Sequence, residues 1–255
     1  MSPRVVITVP QRFRGPVVTT VLTGVLAGVL AVAGTAAPAS ATLPDPRPGG
    51  DPIPARTWAP SQDPAAPTVL VNKARPLSPT SWAPDDLVRP DVRALGEHDR
   101  LRPDAARALE RLAADARDAT GHELVLASGY RSVEYQARLY ARYVDGHGRR
   151  DADTFSARPG HSEHQTGLAA DVAEAGTPYT DLGSTETGRW VAGQAWRYGF
   201  VVRYPEGQEA VTGYSPEPWH LRYVGTELAT GMHLAGTATL EEAFGAGPAP
   251  DYPAR

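Results

Sequence analysis

The stretch Gly160-His161-Ser162-Glu163-His164-Gln165-Thr166-Gly167-Leu168-Ala169-Ala170-Asp171 constrains this chain more than any other. It sets His164 and Asp171 seven residues apart, with Gly167 between them. On a helix that spacing is about two turns, so the side chains share a face but lie ~10 Å apart along the axis. On a straight strand an odd spacing sends them to opposite faces, ~20 Å apart. The pair meets at one atom only where the chain folds back, and Gly167 permits such a turn. We expect His164 and Asp171 to be two ligands of one metal ion, with the third ligand downstream.

Among the seven histidines, His220 stands out by context, in Glu217-Pro218-Trp219-His220-Leu221-Arg222-Tyr223. Pro218 disfavours helix at Glu217, so the segment reads as a turn leading into a strand. Two imidazoles and a carboxylate with an open fourth position are the stock of catalytic zinc sites. Cobalt or nickel would also fit the donor set. Zinc lowers the pKa of its water to about 7. Glu217, three residues before His220, would take the proton as water attacks a carbonyl and return it to the leaving amine. The His-Glu-x-x-His arrangement of many zinc peptidases is absent, so the site is a different construction. Spacing alone leaves other readings open. His164 and His220 could be ordinary polar residues, Asp171 a turn cap and Glu217 a surface acid. His161 and His164 could both face the metal, or Ser162 could pair with His164. The last lacks the second glycine of a nucleophile elbow.

Composition narrows the chemistry further. The chain has no cysteine, which removes disulfides, thiolate ligands and a cysteine nucleophile. Its one lysine is Lys73, with Leu70 three residues before it, which excludes a Ser-x-x-Lys catalytic pair. The net charge is −4, and the three arginines among residues 1–41, which include no acid, leave the remainder near −7. Such a chain is not expected to bind nucleic acid or an anionic membrane surface.

Residues 1–41 combine Arg4, Arg12 and Arg14, an apolar run from Val17 to Ala33, and Ala39-Ser40-Ala41. They read as a secretory signal peptide cut after Ala41, with an uncleaved membrane anchor as the alternative. Residues 42–67 are crowded with proline and read as an extended linker. A domain over 68–236 follows, and then a C-terminal tail, 237–255, to which we assign only solvated surface. Within the domain, Leu77 to Leu87 reads as a proline-broken arm anchored by Trp82. A helix opens at Arg102-Pro103-Asp104 and ends at Gly121, with Ala105, Leu109, Leu112 and Ala116 at helical spacing. Glu123 to Ala127 reads as a strand. Ser132 caps a second helix running to about Asp145 that buries Val133, Leu139, Tyr140 and Tyr143. Residues 146–160 read as polar loop, 167–173 as a strand, 186–198 as a helix, 200–204 and 219–224 as strands, and 227–234 as a last helix. Helices and short strands without strict alternation indicate an α+β fold.

Ser128-Gly129-Tyr130-Arg131-Ser132, then Tyr135-Gln136, then Pro159 to Asp171, then Glu217 to Tyr223 resemble the zinc D-alanyl-D-alanine carboxypeptidases of the VanY type. Val71-Asn72-Lys73, Pro76-Leu77 and Asp85-Asp86-Leu87-Val88 are similar to that family's opening segment, so the likeness covers roughly 69–234. The resemblance implies a small central antiparallel sheet with flanking helices and one zinc ion per chain at its edge, held by His164, Asp171 and His220. It implies Glu217 as catalytic base and Arg131 as the group that stabilises the oxyanion or grips the substrate. It implies that Gln136 and Ser162 hold the peptide or its terminal carboxylate. The expected enzyme is a monomer, secreted and associated with the cell wall, that removes the terminal D-Ala of peptidoglycan stem peptides. The alternatives are a wall endopeptidase cutting between L-Ala and D-Glu, and a non-catalytic zinc-bearing wall-binding module.

Overall fold

A computed structural model describes residues 58–254, so the expected signal peptide and residues 42–57 of the linker lie outside the described residues. Four strands form one antiparallel sheet in the order β1-β2-β4-β3: β1 (Leu124–Ser128), β2 (Ala169–Glu174), β3 (Phe200–Tyr204) and β4 (Glu217–Tyr223). This is the expected α+β architecture. No helix among the described residues is long and apolar enough to cross a membrane.

Strand alternation divides the sheet into two chemically distinct faces. Leu124 and Leu126 of β1, Ala170 and Val172 of β2, Phe200 of β3 and Leu221 of β4 join one buried apolar cluster. Helix α1 (Pro103–Thr120) supplies Ala105, Leu109, Leu112 and Ala116 to the same cluster. Proline in its first turn, Asp104 beside it and Gly121 in the left-handed conformation bound α1, as its sequence predicts. The intervening strand positions, Asp171, Arg203, His220 and Arg222, belong to the other face and are buried there.

Helix α2 (Val133–His147) begins at Ser132, whose hydroxyl accepts from the Tyr135 amide at 3.2 Å. Its packing differs from expectation. Val133, Leu139, Tyr140 and Tyr143 are only half-buried, and Gln136 is its buried residue. The physical reason is position, because α2 contributes nothing to the main cluster and its aromatics work at its edges. Tyr140 Oη donates to Asp153 Oδ1 at 2.7 Å, and Tyr143 packs edge-on against Phe155. Within the expected loop 146–160, Arg149–Ala152 forms a short helix, α3, with both arginines exposed. Helix α4 (Glu186–Gln194) gives way to a 3-10 turn over Ala195–Tyr198. A short helix, α5 (Glu209–Thr212), follows β3, and α6 (Thr226–Ala235) follows β4.

Both margins of the domain pack more than their composition suggests. Trp58, within the proline-rich segment, lies against the cluster formed by Leu70, Val224, Leu228 and Met232. Backbone groups of that segment are also used: Arg222 Nη2 donates to Pro67 O at 2.9 Å, and Arg102 Nη1 donates to Ala65 O. Beyond Gly236, the chain forms α7 (Leu240–Ala243), opened by a capping box between Thr239 and Glu242. Leu240, Glu241, Phe244 and Ala249 are buried. Solvated surface is therefore the wrong description of the tail. Two large apolar side chains and a buried carboxylate tie it into the fold.

Candidate metal centre

The fold-back that the sequence requires is a 3-10 turn over Glu163–Thr166, closed by Gly167 in the left-handed conformation with φ +69°. The Gly167 amide donates to the His164 carbonyl at 3.2 Å, which reverses the chain into β2. A Cβ at Gly167 would lie 2.9 Å from both Arg102 Cγ and Leu87 Cδ2. Glycine is thus required twice, by backbone conformation and by space.

Sheet pairing supplies the third group. Asp171 of β2 is the direct cross-strand partner of His220 of β4, so their side chains rise side by side from the polar face. Ligand atoms of His164, Asp171 and His220 all lie within 4.8 Å of one another. His164 Nε2 is 3.2 Å from Asp171 Oδ2, and His220 Nδ1 is 3.2 Å from Asp171 Oδ1. The two imidazoles stand nearly perpendicular, at 86°.

Outer contacts fix which nitrogen of each ring points inward. His164 Nδ1 lies 2.7 Å from Gly129 O; a carbonyl only accepts, so Nδ1 carries the proton and Nε2 offers its lone pair to the triad. His220 is held from the opposite side: its Nε2 faces Glu163 Oε2 at 3.4 Å, leaving Nδ1 toward Asp171. His164 Nε2 and Asp171 Oδ1 are buried and make no hydrogen bond, and neither do His220 Nε2 and Glu163 Oε2, so the contacts of His220 with Asp171 and Glu163 are charge pairs rather than hydrogen bonds. Leaving such groups unmatched costs about 1–3 kcal/mol each. Two orphaned lone-pair donors converging with a second imidazole are the arrangement a divalent cation of zinc's preference satisfies.

Electrostatics follow from the same contacts. Burial and the charge of Arg131 push His164 down to about 4, against the pull of Asp171, so it is neutral and able to ligate. Burial would also lower His220, but Asp171 and Glu163 outweigh it and push it up to about 9. Burial pushes the Glu217 carboxyl up to about 8, with Asp171 adding to it and His220 and Arg131 opposing. Glu217 Oε2 lies 3.5 Å from His220 Nδ1. Glu217 belongs to β4 itself rather than to a turn before it. Pro218 is accommodated there because the β2 ladder begins only at His220 and the β3 register shifts between Val202 and Tyr204.

The remaining sequence candidates surround this centre to different degrees. Arg131 leaves β1 beside the turn, its amide donating to His164 O at 3.3 Å. Its Nε is buried without a hydrogen-bond partner, and its charge reaches both His164 and Glu217. Ser162 is buried at the head of the 3-10 turn. Gln136 Nε2 donates to Ala157 O at 2.8 Å, bracing the segment that leads to the turn, while its Oε1 is buried and unmatched. His161 is not in the triad: its Nδ1 lies 2.8 Å from Asn72 O and its ring packs edge-on against Tyr252.

Glu163 escaped sequence reasoning although it lies inside the stretch that anchors the site. It is fully buried, and burial would raise its carboxyl, but Arg203 and Arg222 hold it well below the usual range. Arg203 Nε reaches its Oε1 at 2.8 Å and Arg222 Nη1 the same oxygen at 3.0 Å. The available signal was Arg203 and Arg222 on strands whose neighbouring positions are apolar: two cations on inward-facing positions require a buried anion.

Comparison with known proteins places these residues in context. The family model for VanY, D-alanyl-D-alanine carboxypeptidase, matches residues 98–226. YodJ of Bacillus subtilis (strain 168), a carboxypeptidase by name, is 42% identical over 190 residues, spanning 72% of this chain and 68% of that protein. Among solved structures, the LdcB LD-carboxypeptidase is similar with a TM-score of 0.67 and 41% identity, over 72% of this chain and 88% of that one. The vancomycin resistance D,D-pentapeptidase VanY of a VanB-type cassette, solved as a mutant with Zn(II), gives a TM-score of 0.57 and 35% identity, over 69% of this chain and 97% of that one.

Proposed function

The chain belongs to the VanY family of D-alanyl-D-alanine carboxypeptidases, and from that premise we propose that it is a zinc peptidase that removes the terminal D-alanine from peptidoglycan stem peptides. The observation that carries the reading is the convergence of orphaned His164 Nε2 and Asp171 Oδ1 with His220 Nδ1, beside the buried carboxyl of Glu217. His164, Asp171 and His220 would hold one zinc ion, which when bound supplies Lewis acidity and brings the pKa of water to about 7.

The chain's own groups account for the rest. Glu217, whose carboxyl burial pushes up to about 8, would be ionised by the charge of a cation held beside it, and as a carboxylate it accepts a proton from the attacking water as the water oxygen bonds to the scissile carbonyl carbon. It returns that proton to the departing amine as the C–N bond breaks, so the terminal D-alanine leaves with a neutral amino group. The permanent charge and forked donors of Arg131 suit either the substrate's terminal carboxylate or the developing oxyanion. Its unmatched buried Nε leaves it a donor to spare. Ser162 and the free Oε1 of Gln136 are the polar groups for the peptide backbone. The arginine-bearing apolar segment 1–41 supports export to the compartment where such peptides lie. The mildly acidic charge supports a wall peptide rather than nucleic acid as partner, and we treat the protein as a monomer.

Likeness to an LD-carboxypeptidase favours a second reading, in which the residue before the terminal D-alanine is an L-amino acid. Mass spectrometry of zinc-loaded protein with pentapeptide and tetrapeptide stems separates the two. Loss of one alanine from the pentapeptide supports the first reading, and loss from the tetrapeptide alone supports the second. Internal cleavage would instead show an endopeptidase, and intact peptides a non-catalytic module. Glu217→Gln is expected to keep its zinc by metal analysis while kcat falls by about 10²–10⁴-fold; full activity would refute the assigned base.

A further inference from the structure

One buried cluster takes no direct part in the proposed chemistry. Arg203, Arg222, Glu163 and Glu241 are each at most 1% exposed. Their charges balance, two cations against two anions, and the arginines' donors are nearly all used. Arg222 spends Nη2 on the carbonyls of Pro67 and Val69 at 2.9 and 2.8 Å. Arg203 divides its guanidinium: Nε goes to Glu163 Oε1 at 2.8 Å, while Nη1 and Nη2 form a fork onto Glu241 at 2.9 and 2.7 Å.

That division matters at Glu163. Both arginines meet the same oxygen, Oε1, which leaves Oε2 to face His220 Nε2 at 3.4 Å. An arginine fork prefers to grip a carboxylate through both oxygens. With Glu241 gone, the freed fork of Arg203 would have one buried anion within reach, Glu163, and would take Oε2 away from His220. Glu241 is itself held independently of the site. Asn72 Nδ2 donates to its Oε1 at 2.9 Å, and the capping box fixes the start of α7. It also lies outside residues 98–226, the span of the family match.

We propose that Glu241, in the C-terminal segment, is a positioning residue for the metal centre: by occupying the fork of Arg203 it keeps Glu163 Oε2 free to orient His220. The inference rests on the zinc reading above. Outer-sphere partners of metal-binding histidines typically change metal affinity by about 10–100-fold.

The test is zinc affinity of the full chain, measured by competition with a chromophoric chelator, together with the visible spectrum of the cobalt(II)-loaded protein. Glu241→Ala is expected to weaken zinc binding by about 10–100-fold and to shift the cobalt bands. Should Glu241→Ala fail to fold, Glu241→Gln keeps the volume and one acceptor, and the same measurements on it are expected to show a smaller loss in the same direction. Unchanged zinc affinity and cobalt spectrum in a folded variant, with a Tm lowered equally with and without zinc, would overturn the proposal and leave Glu241 structural. Absence of zinc binding in the wild-type protein would instead overturn the zinc reading, and the inference with it.

Discussion

Replacing Gly167 by alanine tests whether this turn assembles the site. Gly167 has φ +69°, and an added Cβ would sit 2.9 Å from Arg102 Cγ and Leu87 Cδ2. Arg102 cannot swing aside without loss, because its guanidinium pairs with Asp86 at 3.2 Å and donates to Ala65 O. The left-handed backbone costs an L-residue about 1–2 kcal/mol. Crowding a packed site adds about 1–3 kcal/mol. Together, Gly167→Ala is expected to lose about 2–5 kcal/mol, a large share of the ~5–15 kcal/mol typical of a domain. Gly176 provides the control, since it has φ +87° and an added Cβ there would meet nothing within 4 Å. Gly176→Ala should therefore lose only the conformational part, about 1–2 kcal/mol. Urea unfolding of the metal-free proteins gives both numbers. Equal losses at the two positions would refute the crowding argument, and a Gly167→Ala loss under about 1 kcal/mol would refute both parts. Zinc affinity should fall in Gly167→Ala alone, because only that turn carries His164 toward Asp171.

Other expectations follow from charge and burial. At pH 7 the metal-free protein holds a proton on His220, pushed up to about 9, which a metal at Nδ1 must displace. Calorimetry in two buffers of different ionisation enthalpy should show net proton release on zinc binding, and none would contradict the ligand assignment. Without metal, His220 and Glu217, raised to about 9 and about 8, stay protonated in the folded state at pH values where the unfolded chain has released those protons. The stability they contribute is therefore complete at low pH and is lost as pH rises through 8 and 9. The Tm of metal-free protein should accordingly fall between pH 6.5 and 9, whereas a rise would refute the shifts. Deleting the chain after Gly236 removes buried Leu240 and Phe244, worth about 1.5–3 kcal/mol each, and strands Arg203, at about 3–5 kcal/mol. Cooperative unfolding in a thermal melt should be lost, and an unchanged Tm would show the tail to be dispensable.

Local chemistry made much of the framework legible. The boundaries of α1 follow from Pro103 and Gly121, and the start of α2 follows from Ser132, because capping depends on the nearest few residues. Strand positions came within a residue or two from apolar and β-branched runs. The half-burial of Tyr140 and Tyr143 was not legible, since helical periodicity reports which face is apolar and not what that face meets. The tail misled for a similar reason: Leu240, Glu241 and Phe244 are too few to announce a core, and their value comes from Arg203 and Val224, remote in sequence.

The sequence by itself determined that His164 and Asp171 could meet only through a turn at Gly167, because the periods of helix and strand forbid the alternative. It also determined the donor chemistry, since without cysteine only imidazole and carboxylate groups were available as strong metal ligands. Tertiary structure decided the rest. The antiparallel pairing of β2 with β4 set Asp171 opposite His220, a register fixed by burial of Ala170, Val172 and Leu221 on the other face. The same alternation carried Arg203 and Arg222 inward, where they required Glu163 and then Glu241 as counter-charges. Ring orientation followed from those long-range contacts, because which nitrogen of His164 or His220 faces the centre depends on what holds the other.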